Sequence, residues 1–258
     1  MKTRRELMLE EMGLAPAWRL RVQAPAAAEA GDEMQADNGS SNAGDDAPEA
    51  ARRRPAPSND RRAAIMRMGW SELKASVAAC KACPLHAKRN KTVFGVGDEN
   101  ADWLFVGEGP GADEDAQGEP FVGQAGKLLD NMLAAINLRR GNNVYIANVV
   151  KCRPPGNRNP EPEEALACEP YLHRQIELLQ PRLIVALGKV AAVNLLAREA
   201  SVASLRGKVH EYRGIPLIVT YHPAYLLRSL HDKAKAWVDL CYAVETMKGL
   251  QSGKPATI

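Results

Sequence analysis

The chain has 258 residues, of which 45% are hydrophobic and 25% are charged. This composition supplies enough apolar residues for a core, and the length suits one large domain or one domain with an appendage. It excludes fibrous and wholly disordered chains, and no run approaches the roughly 18 consecutive apolar residues of a membrane span. The net charge of +3 is unevenly divided, because residues 1–60 are acidic overall and the remainder is basic. A moderately basic body fits a polyanionic partner, although many ordinary enzymes share this property.

The start of the chain does not resemble a secretory signal. Only Leu7, Met8 and Leu9 separate the basic first residues from two glutamates, which is too short for the apolar stretch of a signal peptide. We therefore expect a cytoplasmic protein without membrane attachment. In that compartment its five cysteines stay reduced or hold a metal.

The first 63 residues are predicted to lie outside the main domain. Residues 1–22 contain a short helical pattern, and whether it docks on the body or on an unknown protein partner is open. Residues 23–63 contain no Val, Ile, Leu, Phe, Trp or Tyr, so they cannot bury enough apolar surface to offset the entropy of ordering and are predicted to form a disordered linker. A basic cluster at its end is interpreted as a solvated charge run in preference to a DNA-contacting arm. It consists of Arg52, Arg53, Arg54, Arg61 and Arg62.

Residues 64–250 are predicted to form one α/β domain, followed by a flexible tail at 251–258. Short apolar runs alternate there with amphipathic stretches. In chain order the predicted elements are a strand at 103–106, a helix at 126–137, a strand at 144–147, a helix at 161–179, a strand at 183–187, a helix at 188–198, a hairpin of 209–212 with 216–220, and a helix at 234–250. This alternation favours a mostly parallel sheet covered by helices on both faces.

Polar residues follow three of these strands, at the edge where open parallel sheets bind ligands. Glu108 follows the first strand, Asn148 the second and His222 the last. The segment Gly-Glu-Gly-Pro-Gly at 107–111 matches neither a Walker A loop nor a dinucleotide fingerprint. It is therefore predicted to be a tight loop whose backbone N–H groups approach a ligand. We expect a long loop at 112–122 after it, with Phe121 exposed.

Cysteine spacing gives a second indication. Cys80 and Cys83 form a C-x2-C pair, while Cys152 and Cys168 lie further along the chain. Four cysteines could bind zinc or an iron–sulfur cluster, and a single C-x2-C pair favours [4Fe–4S] slightly on spacing alone. Cys241 stands apart in an amphipathic helix, where a small buried hydrophobic role is expected.

A third indication is the segment that begins at His222. It continues with Pro-Ala-Tyr and then with Leu226, Leu227 and Arg228. One interpretation is a histidine that caps a short helix. The other is a histidine at the reaction centre beside an apolar wedge, the device with which proteins separate stacked bases.

Four motifs together resemble the family-4 uracil-DNA glycosylases, the iron–sulfur members of their superfamily. They are GEGPG at 107–111, GEPFVG at 118–123, NVVKCRPP at 148–155 and HPAYLLR at 222–228. The resemblance covers about residues 73–250 and implies a three-layer α/β/α sandwich around a four-stranded parallel sheet. It also implies an enzyme that flips deoxyuridine out of DNA and hydrolyses the N-glycosidic bond, releasing uracil and leaving an abasic site. We expect it to act on uracil-containing DNA as a monomer.

The resemblance further implies residue roles. Glu108 would hold or activate water, His222 would stabilise the departing uracil anion, and Glu114 would exclude the methyl group of thymine. Uracil would be bound by Gly109, Glu114, Phe121 and Asn148, and DNA by Leu226, Leu227 and Arg228. A structural [4Fe–4S] cluster would be held by Cys80, Cys83, Cys152 and Cys168. The competing hypothesis is a non-catalytic DNA- or uracil-binding module on a metal-stapled α/β fold.

Overall fold

The computed structural model describes residues 59–252, so the predictions for residues 1–58 and for the end of the tail lie outside it. Its helices are α1 (Asn59–Ile65), α2 (Trp70–Ala79), α3 (Ala112–Gln117), α4 (Gln124–Ala135), α5 (Pro162–Leu179), α6 (Gly188–Leu196), α7 (Val202–Leu205), α8 (Pro223–Arg228) and α9 (Asp232–Gln251). Its strands are β1 (Val96–Gly97), β2 (Trp103–Gly107), β3 (Val144–Asn148), β4 (Leu183–Leu187), β5 (Val209–Tyr212) and β6 (Ile215–Thr220). Short 3-10 turns occur at Pro84–Ala87 and Pro155–Asn157.

The strands form one six-stranded sheet in the order β1-β3-β2-β4-β6-β5. The four central strands are parallel, and an antiparallel strand pairs at each edge. The α/β prediction is therefore confirmed, whereas the count of four strands is wrong by the two edge strands. β1 is only two residues long, which is too short for a hydrophobic pattern to reveal. β5 is the first strand of the predicted hairpin, and it pairs with β6 to form the antiparallel strand at the other edge of the sheet.

Helices cover both faces of this sheet, because successive strand residues point to opposite sides. Leu104 and Val106 of β2 face a core that includes residues of α2, α5 and α6. Trp103 and Phe105 of the same strand face a second core, which includes residues of α4, α8 and α9. All five residues of β2 are buried, as expected for a strand enclosed by helices. The predicted three-layer sandwich is therefore confirmed.

α4 brings two separate pocket-forming segments together. Its apolar residues Leu128, Leu129, Met132 and Leu133 recur at helical spacing and are all buried. Through them α4 packs against the second core and contacts α8. The segment before α4 carries Phe121, and α8 begins directly after His222, so this packing places the two aromatic rings side by side.

Among the described residues the first helix is α1, which begins ahead of the boundary predicted at residue 64. Arg61 donates to the carbonyl of Ala167 in α5 at 2.9 Å, and Arg62 forms an ion pair with Glu169 of the same helix. The interpretation of the arginine cluster as a solvated charge run is therefore wrong for these two members. Between residues 59 and 252, no helix combines the length and apolar character needed to cross a membrane.

Candidate active site and cysteine cluster

A pocket of about 420 Å³ opens at the carboxyl edge of the parallel strands. Glu108 directly follows β2, Asn148 is the last residue of β3, and His222 lies just after β6. All three side chains line this pocket, together with Gly109 and Phe121. The parallel arrangement itself brings these distant residues to one place, since the carboxyl ends of parallel strands share an edge.

Gly107, the last residue of β2, allows two of the lining side chains to approach its backbone closely. A Cβ atom at this position would lie 2.5 Å from Oδ1 of Asn148 and 2.5 Å from Cζ of Phe121. Any larger residue would displace one of these side chains. The glycine is therefore needed for a close approach between backbone and side chains.

Phe121 is not on an exposed loop, as the sequence analysis expected. Its side chain is only 6% exposed, and its ring centroid lies 5.5 Å from that of His222 with an interplanar angle of 30°. Much of the segment at 112–122 is the helix α3, whose first turn carries three acidic residues that suit a helix N-terminus. Gly118 ends it in the left-handed conformation.

Glu114 shapes the pocket wall as well as lining it. Its Oε2 accepts a hydrogen bond from the N–H of Gly111 at 3.0 Å, and its Oε1 accepts from the N–H groups of Val122 and Gly123 at 2.9 and 3.1 Å. These bonds tie the start of α3 to the segment that follows Phe121. Sequence reasoning gave Glu114 only a contact with the base and missed this role.

Asn148 presents an unsatisfied acceptor to the pocket. Its side chain is 2% exposed, and Oδ1 has no hydrogen-bond partner among the described residues. Leaving a buried polar atom unpaired costs about 1–3 kcal/mol, which a ligand donor at this point would recover. The site is therefore suited to a ligand that carries an N–H group.

The buried Lys151 holds the backbone of Asn148 through a hydrogen bond, a role that the sequence analysis did not assign to it. Its Nζ donates to the backbone oxygen of Asn148 at 2.9 Å and to Oε1 of Gln175 at 2.6 Å. The lysine is 1% exposed, and burial lowers its pKa to about 8. The available signal was a lysine directly after an apolar run, between Val150 and Cys152.

Burial shifts the pKa values of Glu108 and His222, two of the titratable groups that line the pocket, in opposite directions. Burial, reinforced by the nearby charge of Arg228, lowers the pKa of His222 to about 4, so the imidazole is neutral at neutral pH. Its Nδ1 accepts from the N–H of Ala224 at 3.1 Å, which leaves the ring proton on Nε2. Burial raises the pKa of Glu108, which makes its carboxylate a stronger base.

The rim of the pocket contains the segment predicted to contact DNA. Leu226 is 1% exposed and belongs to the second core, whereas Leu227 is 42% exposed. Of the two leucines only Leu227 is therefore placed to reach another molecule. Arg228 lines the pocket at its mouth. Four further lining residues have polar side chains and were given no role in the sequence analysis: Asn157, Arg158, Asn159 and Tyr225.

The four predicted ligand cysteines lie around one small cavity. None forms a disulfide, and Cys241 does not line this cavity. Within residues 59–252, no group of three or more His, Cys, Asp or Glu side chains is placed to hold a metal ion. Thiols are nevertheless the ligand type that binds zinc or an iron–sulfur cluster, and four of them line this cavity.

Hydrogen-bond donors point at three of these sulfur atoms, and Nη2 of Arg61 donates to Sγ of Cys80 at 3.8 Å. Nη1 of Arg89 donates to Sγ of Cys152 at 3.0 Å, and the backbone N–H of Lys151 donates to Sγ of Cys168 at 3.3 Å. Burial raises the pKa of the Cys168 thiol to about 12. A positive metal group would be needed to keep such a buried sulfur ionised, and the donors suit the thiolate form.

The fold and pocket define an α/β protein with a pocket at the carboxyl ends of its parallel strands. A family model described as the Uracil DNA glycosylase superfamily matches residues 94–243. The chain belongs to this superfamily.

Its similar proteins include three type-4 uracil-DNA glycosylases. One, from Archaeoglobus fulgidus, is 50% identical over 159 residues, which are 58% of this chain and 79% of the relative. A second, from Thermotoga maritima, is 47% identical over 62% of this chain and 83% of the relative. A third, from Pyrobaculum aerophilum, is 45% identical over 62% of this chain and 86% of the relative. The resemblance to family 4 is thereby confirmed.

Proposed function

We propose that this protein removes uracil from DNA by hydrolysing the N-glycosidic bond. The observation that carries the proposal is the pocket in which the unpaired Oδ1 of Asn148, the ring of Phe121 and the neutral imidazole of His222 meet. These are an amide for a base edge, a surface for stacking and a donor for a leaving anion. A base buried in the duplex reaches such a pocket only after it is flipped out of the stack.

Phe121 and Asn148 would recognise the flipped base. Uracil presents a donor at N3 and an acceptor at O4. The Oδ1 of Asn148 accepts from N3–H, and its Nδ2 donates to O4. The ring of Phe121 stacks on the face of the base. Glu114, fixed by its three backbone hydrogen bonds, borders the same space and would exclude a methyl group on C5.

His222 would stabilise the negative charge that develops on uracil as the bond to C1′ breaks. A neutral histidine with its proton on Nε2 donates a hydrogen bond to this anion and keeps its own proton. Preorganised donors of this kind contribute roughly 2.7–4 kcal/mol each in other enzymes. The electron pair of the broken bond stays on uracil.

Glu108 would serve the other half of the reaction. The oxygen of a water molecule forms the new bond to C1′ of the sugar, and the water loses a proton. Glu108 lines the pocket, and burial raises its pKa, so its carboxylate is suited to hold this water and to accept the proton. The ionised carboxylate also offsets the positive charge that develops on the sugar.

Leu227 and Arg228 would hold the DNA from which the base is removed. Leu227 is exposed beside the pocket and would fill the gap left by the flipped nucleotide. The guanidinium of Arg228 would pair with a backbone phosphate. Leu226 instead anchors α8 in the core.

Cys80, Cys83, Cys152 and Cys168 would bind a [4Fe–4S] cluster. When bound, the cluster supplies structural cross-linking and takes no part in bond cleavage. The thiolates come from segments far apart in sequence, and Cys152 lies shortly after the base-reading Asn148. We further propose that the protein acts as a monomer. We also place it in the cytoplasm, a reducing compartment that suits its free cysteines.

A uracil-release assay tests the proposal. Matched oligonucleotides carry U, T or C at one position, in single-stranded form and opposite A or G. We expect release of uracil alone, with faster release from U·G than from U·A, because a mispaired base is cheaper to extrude. Binding to uracil-containing DNA without any release would favour the competing hypothesis of a non-catalytic binding module.

A further inference from the structure

Arg140 holds the backbone of the segment that carries Phe121. Its Nη1 donates to the carbonyl of Pro120 at 2.7 Å, and its Nη2 donates to the carbonyl of Phe121 at 2.8 Å. Asp130 of α4 fixes the guanidinium, because its Oδ1 accepts from Nε at 3.1 Å and from Nη2 at 3.0 Å. Arg140 lies outside the four motifs and does not line the pocket.

Phe121 needs such support because its backbone is strained. Its φ of 56° lies in the left-handed region, which is unfavourable for a bulky residue and persists only where surrounding contacts impose it. The carbonyl of Phe121 packs tightly against α4, because a Cβ atom on Gly126 of that helix would lie 1.8 Å from the carbonyl oxygen. The backbone of Phe121 therefore cannot relax by moving towards α4. The next two N–H groups are held by Glu114. The segment is thus held by hydrogen bonds from Arg140 to its carbonyl groups and from its N–H groups to the carboxylate of Glu114.

We propose that Arg140 is a positioning residue that keeps Phe121 in the left-handed conformation and thereby fixes its ring against the flipped base. This inference rests on the proposed function of the pocket. A ring held in advance of binding contributes to the rate, because small displacements of a substrate-positioning group can cost about 10²-fold in rate. Arginine suits the task because its planar fork donates to two carbonyls and a carboxylate at once, whereas lysine has a single nitrogen.

Arg139 provides a matched control. It is the adjacent residue, its side chain is exposed, and no hydrogen bond joins it to the Phe121 segment. We expect Arg140→Met to lower the single-turnover rate of uracil release about 10–100-fold, with less than about a twofold change for Arg139→Met. Arg140→Lys should fall between Arg140→Met and the native protein. The affinity for uncleavable DNA should be similar in all four proteins.

A double-mutant cycle separates positioning from general stability. Phe121→Leu removes the stacking ring, so Arg140→Met should cost less than about threefold in rate when added to Phe121→Leu. An equal loss in both backgrounds would overturn the inference, as would equal rates for the Arg139 and Arg140 variants. Thermal unfolding of each protein identifies any variant whose rate falls because it is unfolded.

Hydrogen exchange tests the backbone part of the inference without any activity. The amides of Phe121, Val122 and Gly123 should exchange faster in Arg140→Met than in Arg139→Met, because the strained segment is released. Unchanged exchange would refute the positioning role. If the native protein released no uracil while exchange responded as expected, the proposed function would fail and the role of Arg140 in holding the segment would stand.

Discussion

Asn148 presents one unpaired acceptor to the pocket, and under the proposed function this atom would determine which base the pocket accepts. Its Oδ1 is buried with no hydrogen-bond partner among residues 59–252, and it lies so close to the backbone of Gly107 that a Cβ atom there would be 2.5 Å away. Lys151 fixes the backbone at the same residue. An amide held in one orientation distinguishes a donor from an acceptor at N3 of a pyrimidine.

Asn148→Asp should therefore change the preferred base. An ionised carboxylate accepts from N4 of cytosine but cannot donate to O4 of uracil, and each mismatched buried pair costs about 1–3 kcal/mol. We expect loss of most uracil release and a weak but measurable release of cytosine. Product analysis on matched oligonucleotides with U or C at one site measures both. Unchanged uracil release would mean that Asn148 does not read the base.

His222 should make stability depend on pH below neutrality. Burial lowers its pKa from 6.5 to about 4 in the folded protein, so between these values the unfolded chain binds a proton that the folded protein does not. The contribution of His222 is therefore complete above about pH 6.5 and is lost as the pH falls towards 4, at up to about 1.4 kcal/mol per pH unit.

Urea unfolding at several pH values checks this prediction. From pH 7 to pH 4.5 the native protein should lose more unfolding free energy than His222→Gln, which has no group to protonate at this position. Parallel curves for the two proteins would show that His222 is not held neutral by the fold.

At the scale of elements, α8 separates two neighbouring leucines into different roles. The helix is only six residues long. Leu226 is buried in the core, whereas the next residue, Leu227, is exposed. Tyr225 and Ser229 both donate to Oδ2 of Asp232 at the start of α9, at 2.6 and 3.0 Å. These bonds hold the end of α8 in place, so the exposed leucine is presented from a rigid support.

Leu226→Ala and Leu227→Ala should therefore have different effects. Leu226→Ala creates a cavity in the core and should cost about 2–5 kcal/mol of stability. Leu227→Ala should leave stability within about 0.5 kcal/mol of the native value, as is usual for exposed positions. It should slow uracil release from duplex DNA more than from single strands, because only a duplex has a gap to fill. Denaturant unfolding and parallel release assays on both substrates measure these effects, and equal slowing on both substrates would argue against a wedge.

Elements with strong hydrophobic periodicity could be predicted from the sequence, and those set by tertiary contacts could not. The runs at β2, β3 and β4 and the leucine spacing of α4 gave the central sheet and its cover. β1 has no pattern of its own and exists because it pairs with β3. Likewise, the burial of Phe121 depends on contacts of its segment with α4 and Arg140, which lie further along the chain. The motifs contain most of the residues that line the pocket, but Asn157, Arg158 and Asn159 lie outside them. The hydrogen bonds of Lys151 and Arg140 depend on the tertiary structure, so the motifs do not reveal them.

At the scale of the whole molecule, β3 connects the pocket to the cysteine cluster. The strand ends at Asn148, and the chain continues through the buried Lys151 to Cys152. Nζ of Lys151 also bonds Gln175 of α5, the helix that carries Cys168. A metal group that fixes the four cysteines would therefore stabilise the backbone that presents the side-chain amide of Asn148 to the pocket.

Cys152→Ser should thus remove colour and stability together. Loss of one thiolate should bleach the visible absorption of a [4Fe–4S] cluster and lower the melting temperature, because metal binding is coupled to folding. Cys241→Ser is the matched control, since Cys241 lies on α9 outside the cluster cavity, and it should retain the full absorption. Absorption spectra, iron content and thermal unfolding of the two variants test this. Equal bleaching by both would overturn the ligand assignment.

The boundary of the domain can be tested by two deletions that differ only in α1. Removal of residues 1–58 takes away a segment that is poor in core-forming residues, and it leaves α1 intact. Removal of residues 1–66 also takes away Ile65, which is 2% exposed, and the contacts of Arg61 and Arg62 with α5.

We expect the protein lacking residues 1–58 to keep its melting temperature and its rate of uracil release. The protein lacking residues 1–66 should lose roughly 2–5 kcal/mol of stability from the empty site of Ile65 alone. It should also lose visible absorption more readily on heating, because Arg61 lies near Sγ of Cys80, at 3.8 Å from Nη2. Thermal unfolding, absorption and release assays on both proteins measure this difference. Loss of uracil release without loss of stability on removal of residues 1–58 would show that the N-terminal segment is required for activity on DNA. The domain that begins at α1 would then not be sufficient for catalysis.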